Sequence, residues 1–135
     1  MNKQIVFLGE FSSGKSAFIN LLLGVSIMPE NLGATNLPVV KIWSGPPHFP
    51  GGLWLREPGQ KNPSPVTSWE GIPKNWDEFE YAEITVPEHP VLKSGVILWD
   101  TPGINSTDAQ HQSHLDKVIE GVFSVDSLFV FFIRN

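Results

Sequence analysis

The sequence predicts an α/β fold in three layers, with a mostly parallel sheet, on three observations. Short apolar runs, each long enough for one buried strand, alternate with longer helical stretches. A glycine-rich turn stands where the first apolar run meets the first helical stretch. A second apolar run, Val96 to Trp99, ends in Asp100, so Gly9 and Asp100 gather at carboxyl strand ends, where such sheets carry their ligand site.

Residues 3 to 8 are predicted as a buried strand. Residues 15 to 23 follow as a helix with Phe18, Leu21 and Leu22 on its inner face, stopped near Gly24. Strands are predicted at 38 to 43, at 82 to 86 paired with 95 to 100, and at 127 to 133, the last preceded by a helix over 110 to 122. Between Ser44 and Glu80 the pattern breaks into a segment rich in Pro, Gly and Trp, read as a long loop or insertion. Packing of Trp54, Trp69 and Trp76 onto the domain is favoured there over partner or membrane contact.

The turn itself reads GEFSSGKS, positions 9 to 16, a complete G-x-x-x-x-G-K-S phosphate-binding loop of the P-loop NTPase kind. Gly9 and Gly14 let the backbone curl so that the N–H groups of Glu10, Phe11, Ser12, Ser13 and the first helical residues through Ala17 can point at phosphate oxygens. Lys15 is placed to reach the β- and γ-phosphates, and the Ser16 hydroxyl to ligate a bridging Mg²⁺. A chance glycine-rich turn would not be expected to match four fixed positions and both flanks.

At 96 to 103 the chain reads VILWDTPG, a strand followed by D-x-x-G. Asp100 can hold a water of the Mg²⁺ shell and the Gly103 N–H can meet a γ-phosphate. Alone, DTPG is an ordinary strand-ending turn. Between the two motifs lies GATNLP at 33 to 38, where Thr35 is either a surface turn residue or a switch residue that closes on Mg²⁺ and phosphate.

In this order the residues resemble the dynamin-like GTPases, especially their bacterial dynamin-like and mitofusin-like branch. The resemblance covers nearly the whole chain: GEFSSGKSAFINLLLG at 9 to 24, Ile27-Met28-Pro29, Thr35 ahead of Pro38, and DTPGINST at 100 to 107 with His111 following. It implies a Mg²⁺-dependent GTPase that self-associates and remodels membranes. Lys15 and Ser16 would bind phosphate and metal, Thr35 would position the attacking water, and Asp100 and Gly103 would form the second switch. Ser12 would help hold a charge-compensating monovalent cation. Phe11 departs from the family pattern, which has glutamine there.

A chain of 135 residues with 41% hydrophobic and 17% charged residues suits one globular domain. Its net charge of -5 and two arginines, Arg56 and Arg134, argue against a nucleic-acid footprint. The absence of cysteine fits a cytoplasmic protein, and no segment is long enough to span a bilayer, so any membrane role would come from other sequence, from a partner or from peripheral contact. His111 and His114, three apart on a predicted helix, are read as solvated or hydrogen-bonded groups before a metal pair. His48 and His89 carry no signal, and Glu10 and Asp126 are read as structural.

No T/N-K-x-D guanine-reading sequence occurs, so the residues themselves indicate phosphate binding and the resemblance alone indicates GTP or GDP. The expectation is therefore the N-terminal portion of a GTPase domain, C-terminally incomplete, with an apolar edge strand near Phe129 that would make the isolated chain poorly soluble. A monodisperse, cooperatively melting monomer at micromolar concentration would contradict that expectation. The alternatives are a non-hydrolysing nucleotide-binding interaction module or inactive fragment, and a small-substrate P-loop kinase, against which the DTPG sequence and the scarcity of arginine both count.

Overall fold

The computed structural model describes residues 3–9, 14–29, 37–102, 109–121 and 127–132, with side chains of the last helix described over 112–120. In chain order the elements are β1 (Lys3–Gly9), α1 (Lys15–Leu23), β2 (Val40–Trp43), β3 (Gly52–Arg56), β4 (Ser64–Val66), β5 (Tyr81–Thr85), α2 (Pro90–Lys93), β6 (Val96–Asp100), α3 (Ala109–Gly121) and β7 (Leu128–Phe132). Two single turns of 3-10 helix, Trp69–Gly71 and Trp76–Glu78, lie between β4 and β5.

The seven strands form one sheet in the order β4-β3-β5-β2-β6-β1-β7. It is mixed rather than mostly parallel: β1 runs parallel to β6 and β7, and β2 to β5, while β2 against β6, β3 against β5 and β3 against β4 are antiparallel. The expected pairing of 82–86 with 95–100 is also corrected. Strand β2 lies between β5 and β6 and bonds to both, aligning Val40 with Ala82 on one side and Asp100 on the other. Two apolar strands close in sequence are thus separated by a third that fits both edges.

Alternation along β1 sends Phe7 to one face and Val6 and Leu8 to the other. On the first face Phe7 meets Ile19 and Leu23 of α1 and Leu92 of α2. On the second, Val6 and Leu8 share a core with Trp99 and with Leu115 and Val118 of α3. The helices therefore cover opposite faces, each burying its own apolar stripe.

Helix α1 ends as expected, with Gly24 in the left-handed region at φ +71 and its N–H bonded to the Asn20 carbonyl. Its inner face differs from the expectation. Ile19 and Leu23 are buried, whereas Phe18, Leu21 and Leu22 are 40%, 81% and 48% exposed. The stretch FINLLL is apolar nearly all round, so periodicity alone does not choose a face, and the burial of Lys15 brings residues 19 and 23 inward behind it.

The 44–80 segment contains the β3–β4 hairpin, which extends the sheet, and its tryptophans pack inward. Trp54 Nε1 donates to Thr85 Oγ1 at 2.8 Å, Trp76 is buried, and Trp69 packs against the α1-side core. His89, in a loop of no expected role, accepts from the Val91 N–H at Nδ1, which leaves Nε2–H to donate to the Leu23 carbonyl at 2.7 Å. It ties α2 to the end of α1. Strand β7 forms one edge of the sheet and exposes Leu128, Phe129 and Phe131.

Candidate functional site

The polar groups converge where β1 and β6 end side by side. Their parallel register sets Phe7 opposite Asp100, so the chain leaves β1 toward α1 beside the residues that follow β6. The Thr101 hydroxyl donates to the Phe7 carbonyl at 2.7 Å and welds the two strand ends together. The Lys15 ammonium donates to the Thr101 carbonyl at 2.7 Å, across 86 residues of sequence.

Gly14 opens α1 at φ +88, a conformation that residues with a Cβ adopt at a cost, and open space surrounds it, so the demand for glycine is conformational. It supplies no side-chain cap, and the first turn of α1 contains no acidic residue. The helix N-terminus therefore keeps N–H groups and a positive dipole end for an anion. Ser16 is half-buried and Ala17 exposed at the same end, and Gly9 closes β1.

Burial governs the electrostatics. Desolvation lowers the Lys15 pKa from its ordinary value, with the Asp100 carboxylate opposing the shift. Burial pushes the Asp100 carboxyl up to about 6, while Lys15 and a backbone hydrogen bond at Thr101 pull against it. Among the described residues its Oδ1 has no hydrogen-bond partner. A buried carboxylate oxygen left open beside a lysine, at the mouth of a helix N-terminus, suits a hydrated divalent cation carried with a polyphosphate.

Of the residues read from the sequence, the structure brings together Gly9, Gly14, Lys15, Ser16, Ala17 and Asp100 at one end of the sheet. Glu10, Phe11, Ser12, Ser13, Thr35 and Gly103 lie outside the described residues. Thr101 was missed, and only its place between Asp100 and the glycine of DTPG hints at its role. His114 is buried and accepts from the Val39 N–H at 3.1 Å. Among the described residues no group of three potential ligands could hold a metal ion, and the side chain of His111 is not among them.

The model of the dynamin family matches residues 5–131. An uncharacterised protein from the xynA 3′ region of Caldicellulosiruptor sp. (strain Rt8B.4) is 30% identical over 130 residues, covering 92% of this chain and 31% of that protein. Dynamin-like protein A of Bacillus subtilis (strain 168) is 32% identical over 111 residues, 79% of this chain and 9% of that protein. The bacterial dynamin-like protein of Nostoc punctiforme is 25% identical over 130 residues, 85% of this chain and 18% of its own length. The chain thus spans under a third of each of these relatives.

Two solved chains from an oligomerised bacterial dynamin pair, described as sensing and tethering membranes at long range, share the fold. One superposes with a TM-score of 0.56 at 19% identity over 96% of this chain and 25% of its own, the other at 0.59 and 13% over 90% and 21%. The phosphate loop, the β6 terminus and these matches agree: the chain belongs to the dynamin family, in its bacterial dynamin-like branch.

Proposed function

We propose that this chain binds GTP with Mg²⁺ and, within a longer dynamin-like protein, hydrolyses it. The observation that carries the proposal is the convergence of Lys15, the open α1 N-terminus and the buried Asp100 carboxyl at one sheet end. It is read as the N-terminal portion of a three-layer P-loop GTPase domain, which the small share of its relatives' length fits.

In this reading the backbone of residues 9–17 wraps the phosphates and the Lys15 ammonium leaves the Thr101 carbonyl for the β- and γ-oxygens. Ser16, Thr35 and, through a water, Asp100 would hold Mg²⁺, which supplies charge neutralisation between the two phosphates. Thr35 orients the attacking water, Ser12 helps hold a monovalent cation, and Gly103 receives the γ-phosphate through its N–H. Developing charge is met by Lys15 and the loop amides, groups already in place before the reaction begins.

Self-association through this domain and peripheral contact with a membrane from the cytoplasm are proposed for the whole protein, supported by the assembled state of its structural neighbours. Among the described residues no helix is long and apolar enough to cross a membrane.

Fluorescent GTP, GDP and ATP titrated with Mg²⁺ test the assignment. Lys15→Ala should raise the GTP Kd by more than about 100-fold, a loss of roughly 2.7 kcal/mol. Unchanged affinity would remove the site. Thr35→Ala should keep most of the binding and cut γ-phosphate release, and equal turnover by variant and parent would take Thr35 out of the mechanism. Binding without any release by a version extended through the rest of the GTPase domain would select the non-hydrolysing module.

A further inference from the structure

The geometry points to His114 as a positioning residue: its imidazole tethers the start of β2, and with it the chain that leads from Thr35, to helix α3. This inference rests on the hydrolytic reading above.

Val39 stands one residue ahead of β2 and four after Thr35, and it is fully buried. Its carbonyl accepts from the Ala82 N–H at 3.0 Å, which secures one side of the residue to β5. Its N–H donates to His114 Nε2 at 3.1 Å, a contact between residues 75 apart in sequence. An acceptor Nε2 carries no proton, so the imidazole is the Nδ1–H tautomer.

The ring is held on its flanks by Trp76 at 5.2 Å and Phe79 at 5.7 Å between centroids, and its neighbour Leu115 lies in the core under β1 and β6. A buried polar ring among aromatics costs desolvation that leucine would not. The imidazole therefore contributes something packing alone does not: a fixed acceptor for the N–H of the buried Val39.

The elements joined are informative. Helix α3 follows the Asp100–Gly103 segment, and β2 follows the Thr35 segment, so a single hydrogen bond links the chains downstream of both. The upstream end has a matching clamp on α1, the phosphate-loop helix. Asn20 Oδ1 accepts from the N–H groups of Ile27 and Met28 at 2.9 and 2.8 Å, and its Nδ2 donates to the Met28 carbonyl at 2.8 Å. Side chains of α1 and α3 thus hold Met28 and Val39, the one through Asn20 and the other through His114. The contact from α3 is the one that could make water positioning depend on the second switch.

Three full-chain variants test this. Glutamine at 114 places an amide oxygen near the Nε2 position, asparagine is too short to reach it, and leucine fills the space with no acceptor. Three quantities are read: hydrogen exchange of the Val39 amide, the Kd of fluorescent GTP with Mg²⁺, and γ-phosphate release. The expectation is that His114→Leu and His114→Asn speed Val39 exchange, leave Kd within about threefold and lower kcat by roughly 10- to 100-fold, and that His114→Gln recovers most of both losses. Should the leucine variant fail to fold, the asparagine and glutamine pair decides alone.

Turnover in the asparagine variant equal to the parent's, or a glutamine variant as slow as the asparagine one, would overturn the assignment. The variants are made in a version extended through the rest of the GTPase domain; if that parent binds nucleotide without releasing phosphate, the hydrolytic reading fails by itself. The tether is then judged by exchange: Val39 protection lost with asparagine and kept with glutamine upholds it, and equal protection in all three overturns it.

Discussion

Replacing Glu83 with alanine is expected to lower the unfolding free energy by about 3–5 kcal/mol, because it strips the counter-charge from a buried ionic group. Glu83 sits at the centre of β5, whose residues are buried throughout, and is itself 1% exposed. Its Oε2 accepts from the Arg56 guanidinium at 3.1 Å, and its Oε1 accepts from Trp43 Nε1 at 2.8 Å, with the Lys41 ammonium at 3.8 Å. Lys41 also lies over the Trp43 ring at 3.8 Å from its centroid.

The carboxylate thereby joins β2, β3 and β5 from the middle of the sheet. Removing it leaves an indole N–H and two cations facing the same half-dry space, and burial already depresses the Lys41 pKa against the support of Glu83. Glu83→Gln, which keeps an acceptor and loses the charge, should fall between parent and alanine variant. Urea unfolding measures the series. An alanine variant with the parent's midpoint would show that the network adds nothing to stability.

Asp100→Asn should make the protein more stable at neutral pH and less able to bind Mg²⁺-nucleotide. The folded-state pKa of Asp100, about 6, lies above its ordinary 3.8. A carboxyl raised on folding contributes stability that is fully present below the ordinary value and is lost as pH rises through about 6. That raised value already includes the attraction of Lys15, so the ionised carboxylate still costs more than its neutral form.

Asparagine has nothing to ionise. Parent and variant should therefore melt alike below about pH 4, diverge as pH rises from about 4 to about 6, and stay apart above that by up to about 3 kcal/mol in favour of the variant. Binding moves the opposite way, since the open Oδ1 would be the natural partner of a hydrated cation and the amide lacks its charge. In the parent, Mg²⁺-dependent affinity should fall as pH drops below about 6, in step with protonation of this carboxyl. Melting curves over that pH range decide the matter. A variant less stable than its parent at pH 8 would mean that the Lys15 attraction outweighs the burial of Asp100.

Both predictions concern residues whose types are visible in the sequence and whose circumstances are not. Gly9, Gly14, Lys15 and Ser16 announce a phosphate site because they lie within eight contiguous positions, and the turn they build needs only local backbone freedom and local spacing. Asp100 was legible for the same reason, as the polar end of an apolar strand. Helix α1 and its stop at Gly24 are equally local, with propensity and a left-handed glycine setting the limits.

Helix facing and strand order required the folded chain. Phe18, Leu21 and Leu22 are as apolar as Ile19 and Leu23, and the inward course of Lys15 decides among them. Strand β2 enters between β5 and β6 because its two edges fit both, a choice that no property of residues 82–100 encodes. The roles of Thr101, Asn20, His114 and Glu83 depend in the same way on what tertiary packing brings opposite them.

The proposed phosphate-binding chemistry thus rests on short-range pattern, since residue spacing within one loop suggests it. The electrostatic setting of that chemistry belongs to the tertiary structure. Desolvation of Asp100, the Lys15 contact across 86 residues and the His114 contact across 75 arise only when distant segments exclude water together.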